Sequence, residues 1–240
     1  MPKKIAVVLS IMLCSLLLVP NTAQARGDYD YDAAQVRYTE SAREEVTMET
    51  RPEYALLNGA IDNESIRDYD YARFTEMNER HFLTLVSEED QRVVFGHEET
   101  FSLETGKVYT VEIYLRNDAT LCLEHSPLGC EKTLQEVKVK AAYPDMLTQN
   151  QYGCVMVEIT SANGEPQAVT DFVEIINSGE SSVYLSLVED SLVIESLGLT
   201  NGMQLDQKAL FDDGVEVGFF SLDSGIPAGY ALKVKFQIQT

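Results

Sequence analysis

The chain has 240 residues, 18 of them basic and 39 acidic, for a formal net charge of -21, and it contains no tryptophan. So acidic a molecule is repelled by phosphate backbones and anionic lipid headgroups, which argues against nucleic acid or bilayer surfaces as general partners. Cationic partners and divalent ions stay open, and the plain reading of the charge is solubility outside the cell.

Lys3 and Lys4 precede an apolar run from Ile5 to Val19, and Ala23-Gln24-Ala25 places small residues where a signal peptidase reads. Residues 1–25 therefore read as a signal peptide cleaved after Ala25, too short for a trusted membrane span. The expected mature chain, residues 26–240, keeps 16 basic and 39 acidic residues, a balance of -23. It has no second hydrophobic span and no sorting motif before Thr240, so it is expected to be secreted or held at the cell surface by a partner. Residues 26–54 carry eight acids against four arginines and few bulky aliphatics, the composition of a flexible acidic tail or linker. Within it, Ser41 followed by Glu44 has capping-box spacing and predicts a short helix through Met48, with Pro52 as its limit.

From Ala55 onward the pattern changes to short Val/Ile/Leu/Phe/Tyr runs separated by Gly, Asn, Asp and Ser. Strands are expected at Phe82–Val86 and Val93–Phe95, then around Tyr109, Val111, Ile113 and Leu115, which alternate with polar or amphipathic residues. Val137, Val139 and Ala141 alternate with lysines, and Val155, Val157 and Ile159 repeat the spacing. Further runs lie at Phe172–Ile176, Val183–Leu187, Leu192–Glu195 and Val215–Phe220. The clearest strand is the last, with Leu232, Val234, Phe236 and Ile238 on one face and Lys233, Lys235, Gln237 and Gln239 on the other. About ten strands with few helix signals predict an all-β antiparallel sandwich over residues 55–240.

The stretch from Thr105 to Asp118, and the second from Val137 to Pro144, resemble bacterial and archaeal surface repeats of the DUF11 type. There a Gly-led turn opens a strand ending in Asn, and a second strand runs into a proline. The resemblance covers Leu56 to the end. It implies an Ig-like sandwich on the cell envelope and no catalytic residue. The chain departs from the pattern in carrying it once and in the insert between Cys122 and Cys130.

With Cys14 in the leader, Cys122, Cys130 and Cys154 remain. Cys122 and Cys130 bracket a segment with Ser126, Pro127 and Gly129, so a small disulfide-closed loop is the expected pairing, leaving Cys154 buried and free or linking two chains. The rival is a metal site from Cys122, His125 and Cys130, which lacks a fourth ligand and Cys-x-x-Cys spacing. Asp28, Asp30 and Asp32, echoed by Asp68 and Asp70, present alternating oxygens suited to calcium, but Ala33 stands where an EF-hand needs glycine and Thr39 where it needs glutamate. Asp212-Asp213-Gly214 reads as a turn between strands rather than a ligand pair. Arg26-Gly27-Asp28 spells an adhesion tripeptide short enough to arise by chance.

His81, His97 and His125 are the candidate neutral-pH bases, and none sits in a zinc-protease or nucleophile-turn pattern. No Gly-rich phosphate loop appears. Tyr109, Tyr114, Tyr143, Tyr184 and Tyr230 could stack on a sugar, though strand positions imply half-buried rings. Lys107, Lys138, Lys140, Asn117 and Asn177 have the residue types of an isopeptide crosslink, against ordinary exposed lysines and turn asparagines. These residues predict no catalytic group, cofactor or metal. They predict a non-catalytic envelope or extracellular module that recognises a protein partner through sandwich loops or a strand edge. The alternatives are a carbohydrate- or calcium-binding module and a carboxylate-dependent hydrolase.

Overall fold

The computed structural model describes residues 54–58, 82–89, 91–96, 99–122 and 130–240, with the two-residue strands at 45–46 and 60–61. The expected signal peptide, the acidic clusters at 28–32 and 68–70, the Arg26-Gly27-Asp28 tripeptide and all three histidines lie outside the described residues.

The fold is an all-β sandwich of two sheets around one core. The first sheet is built from β5 (Phe101–Leu103), β7 (Lys138–Ala142), β9 (Tyr152–Thr160), β10 (Ala168–Asn177) and β14 (Val215–Glu216), in the order β14-β7-β9-β10-β5. The second holds β3 (Leu83–Ser87), β4 (Val93–Phe95), β6 (Val108–Arg116) and β15 (Ala231–Gln239), with β12 (Ser186–Leu187) and β13 (Val193–Ser196) both on the outer side of β15. A small pair of β8 (Met146–Leu147) and β11 (Val183–Tyr184) stands apart. The chain crosses between the two large sheets repeatedly, so strands distant in sequence share one interior.

Period-two alternation forms that interior. In β6 and β15, Val111, Ile113, Leu115, Val234, Phe236 and Ile238 are all buried, while Glu112, Lys233 and Lys235 point to the other face. The two strands pair antiparallel over nine residues, Leu115 opposite Leu232 and Val111 opposite Phe236, so each strand's apolar face continues the other's. Across the sandwich, Val155, Val157, Ile159, Val173 and Ile175 supply the facing layer. Phe101 and Tyr109 meet edge to face at 5.3 Å, and Tyr143 and Phe211 do so at 5.4 Å.

Two buried polar side chains tie elements that the strand ladders do not. Asn117, just past β6, donates its amide to the carbonyls of Lys132 (2.6 Å) and Ile226 (2.8 Å) and accepts from the backbone of Leu56 (3.4 Å) and Ala119 (3.2 Å). Asp171, pointing inward from β10, accepts from the backbone of Phe82 (2.8 Å) and Leu83 (3.0 Å) where β3 begins, and from Phe172 (2.8 Å). It therefore joins the two sheets through one carboxylate.

Several expectations need correction. Glu45–Val46, within the expected Ser41–Met48 helix, forms β1 and pairs in parallel with β2 (Ala60–Ile61). One further pair, β5 with β10, is also parallel, so the sheets are not wholly antiparallel. The expected strand Val183–Leu187 splits: the Leu185 N–H turns to the Asp145 carbonyl, leaving β11 on β8 and β12 on β15. Val215–Phe220 is strand only over its first two residues. A five-residue helix absent from the sequence reading, α1 (Gln207–Phe211), is capped by Asp206, whose side chain accepts from the backbone of Lys208 and Ala209. Asp212-Asp213-Gly214 is a turn, but between α1 and β14, with Gly214 at φ 86°.

Candidate interaction surfaces

Two surfaces of the sandwich present features that packing alone does not explain. The first is the turn after β13. The chain leaves Ser196, reverses, and runs back beside β13: the Ile194 N–H donates to Met203 O, and the Gly202 N–H to Ile194 O. At the tip, Leu197 is 88% exposed and Leu199 80%. The tip is firmly held from below. Asn201 Oδ1 accepts the Ser196 N–H at 3.0 Å, and the wholly buried Thr200 hydroxyl donates to Gly218 O at 2.7 Å. Gly198 lies against the Phe219 carbonyl where any Cβ would collide. Below it Phe219 packs on Phe220 and Tyr230, with ring centroids 5.1 and 4.7 Å apart. The expected strand ends at Glu195 and no expected element covers this surface, because a lone Leu-x-Leu does not say whether its leucines face in or out.

The second surface is a groove of about 660 Å³ across the outer face of the six-stranded sheet. Register puts Thr84, Glu112, Lys235 and Val193 in one row across β3, β6, β15 and β13, with Val86, Thr110 and Gln237 in the next. Small side chains at Thr84, Val86 and Thr110 make the floor, and Glu88 and Gln91 from the β3–β4 turn rise at one end. Thr110 donates its hydroxyl to the Glu88 carboxylate and accepts from Gln237 Nε2 at 3.3 Å. Lys235 is ion-paired with Glu112 at 2.9 Å and with Glu195, and Lys233 approaches Glu112 at 3.6 Å. Thr84 is 3% exposed, and its hydroxyl has no hydrogen-bond partner among the described residues.

Burial disfavours the Lys235 cation, yet hydrogen bonds to Glu195 and Glu112 outweigh this and raise its pKa above the ordinary 10.5. A lysine pKa raised on folding contributes stability that is fully present below the unfolded value and is lost as pH rises through the folded one. Lys235→Met is therefore expected to lower Tm near pH 8, and the gap from the unmodified protein to close as pH rises through the raised folded-state value, above the ordinary 10.5, as calorimetry across that range would record.

The expected site residues fall as follows. The Cα atoms of Cys122 and Cys130 are 6.1 Å apart with their sulfurs in contact, a separation that a disulfide spans. Cys154 is buried and forms no disulfide among the described residues; it packs with Ala142, Met156 and Phe172 on the outer face of the five-stranded sheet. Among the described residues no group of three or more His, Cys, Asp or Glu side chains is arranged to hold a metal ion.

Of the five tyrosines, Tyr109 and Tyr143 are buried in the core, Tyr114 and Tyr230 pack against it, and Tyr184 is exposed, so they form no shared platform. Neither Asn117 nor Asn177 is an ordinary turn residue. Asn177 is buried like Asn117, donates to Leu147 O and Ser181 O, and accepts from the Gly179 N–H. Both carboxamides are thus engaged by backbone, and Lys107 pairs with Glu89. No described helix is long and apolar enough to cross a membrane. No family model, curated protein or solved structure matches the chain.

Proposed function

We propose that this chain is an exported, non-catalytic interaction module of the cell envelope or extracellular space, and that the Leu197–Leu199 tip is the part that meets a protein partner. The observation that carries this reading is two leucines left almost fully in water on a turn held by buried hydrogen bonds. Large apolar side chains on a pre-ordered loop bind with little ordering entropy to lose, and a few such anchors dominate protein recognition. The acidic charge of the chain disfavours the other common use of exposed leucines, insertion among anionic lipids. The apparent leader and the resemblance to surface repeats support the extracellular setting.

A photoreactive residue in place of Leu199, on cells that make the protein, is expected to join one dominant protein. The same residue in place of the exposed Glu180 is not. Leu197→Ser combined with Leu199→Ser, a surface change within about 0.5 kcal/mol of neutral for stability, should lower a Leu199-independent measure of that complex, co-purification, by at least about tenfold, since each lost anchor costs roughly 1–2 kcal/mol. Equal labelling from positions 199 and 180 would remove the basis for this reading.

A further inference from the structure

We infer that the groove across the six-stranded sheet is a second, separate binding site, and that its ligand is a neutral, hydroxyl-rich chain: an oligosaccharide. Shape comes first. Short side chains on the floor between longer ones make a trough running across the strands, and its volume of about 660 Å³ lies within the range of small-ligand sites.

Charge narrows the class of occupant. Lys235 is held between Glu112 and Glu195, Lys233 approaches the same Glu112, and Glu88 receives the Thr110 hydroxyl. Both lysines are already paired within the sheet, so an anionic ligand would have to break an existing pair to form its own. Glu88, by contrast, receives only a neutral hydroxyl, and its negative charge disfavours anions further while leaving carboxylate oxygens to accept from ligand hydroxyls. What the groove offers instead is donors and acceptors in combination. The amides of Gln91 and Gln237 carry both, and Thr84 brings a buried hydroxyl without a partner among the described residues. An unsatisfied buried hydroxyl is a standing cost that an incoming hydroxyl would offset, because it too donates and accepts. Val86, Val93 and Val193 supply the apolar patches on which the C–H face of a sugar ring can rest. An extended peptide would find no backbone ladder on this face; peptides add to sheet edges.

The test uses the purified chain in native affinity electrophoresis against soluble β-glucan, xylan, mannan and glycogen, with dextran sulfate as the anionic probe. At least one neutral polysaccharide is expected to retard it. Thr84→Val, nearly the same shape without the hydroxyl, should weaken that retardation at least fivefold while Tm stays level or rises. Gln237→Ala, whose side chain is at the groove surface, should weaken it too and serves if the first variant does not fold. Retardation by none of the four neutral polymers, retardation by dextran sulfate alone, or full binding by both variants would overturn the assignment. The Leu197→Ser, Leu199→Ser double variant should bind the polysaccharide as the unmodified chain does, so failure at the tip and failure at the groove are read separately.

Discussion

Asn117→Ala is expected to lower the stability of this protein by about 4 kcal/mol, enough to shift Tm by roughly 10 °C in a chain of this size. One side chain meets four backbone groups, and the elements it joins are distant in sequence: the 55–57 segment, the end of β6, the loop at Lys132 and the approach to β15 at Ile226. Asn117 itself is wholly buried. Water cannot replace the lost carboxamide without opening the end of the sandwich, and each buried backbone group left unmatched costs about 1–3 kcal/mol. Asn117→Asp separates hydrogen bonding from volume. It keeps the acceptor oxygen but replaces the donor NH₂ with a second oxygen facing the carbonyls of Lys132 and Ile226, so it should be at least as damaging as alanine. Thermal unfolding of the three proteins decides this, and an Asp variant as stable as the original would mean that the amide donors contribute little.

Asp171→Ala is the second large effect, expected to cost about 3–4 kcal/mol. The carboxylate receives three backbone N–H groups, two of them at the first turn of chain entering β3, and hydrogen bonds to a charged acceptor contribute more than neutral ones. Here the damage should be directional. β3 stays paired with β6 along its length, so its middle keeps its ladder, whereas Phe82 and Leu83 lose the link to the opposite sheet. Amide exchange at those two positions should accelerate more than at Leu85. Uniform acceleration across both sheets would instead mark Asp171 as a global support. Asp171→Asn preserves size yet offers one oxygen and an NH₂ group to three donors, and should fall between alanine and the native residue.

Much of the scaffold was legible because it obeys one rule. Where one face of a strand is buried and the other wet, as in Leu232–Gln239 and Tyr109–Arg116, period two is written directly into residue type. The rule fails where a neighbour overrides it. Val183–Leu187 has good strand composition, but the Leu185 backbone is drawn to Asp145 and the run breaks between two sheets. Val215–Phe220 leaves the ladder after Glu216, and by Gly218 the backbone lies so close to the Ser221 carbonyl that no side chain fits there. α1 is too short for its apolar spacing to stand out, and its start depends on a cap that one aspartate supplies. The interaction surfaces were less legible still. An exposed Leu-Gly-Leu is indistinguishable from a buried one until Thr200 and Gly198 are seen to hold the turn outward. The groove arises from register across four strands, a relation between residues 84, 112, 193 and 235 that no local window contains.

The lengths of the outermost strands carry a consequence for how molecules of this kind behave together. β14 offers two residues, β5 and β4 three each, and the outer side of β13 is already occupied by the chain returning through Gly202–Leu205. A second copy trying to extend either sheet would find a rung or two of backbone before the strand turns away, too little to template growth. Crowded at high local concentration, such molecules find no easy route to stacking into fibres through the described strand edges, where adhesion is decided by the side chains on display.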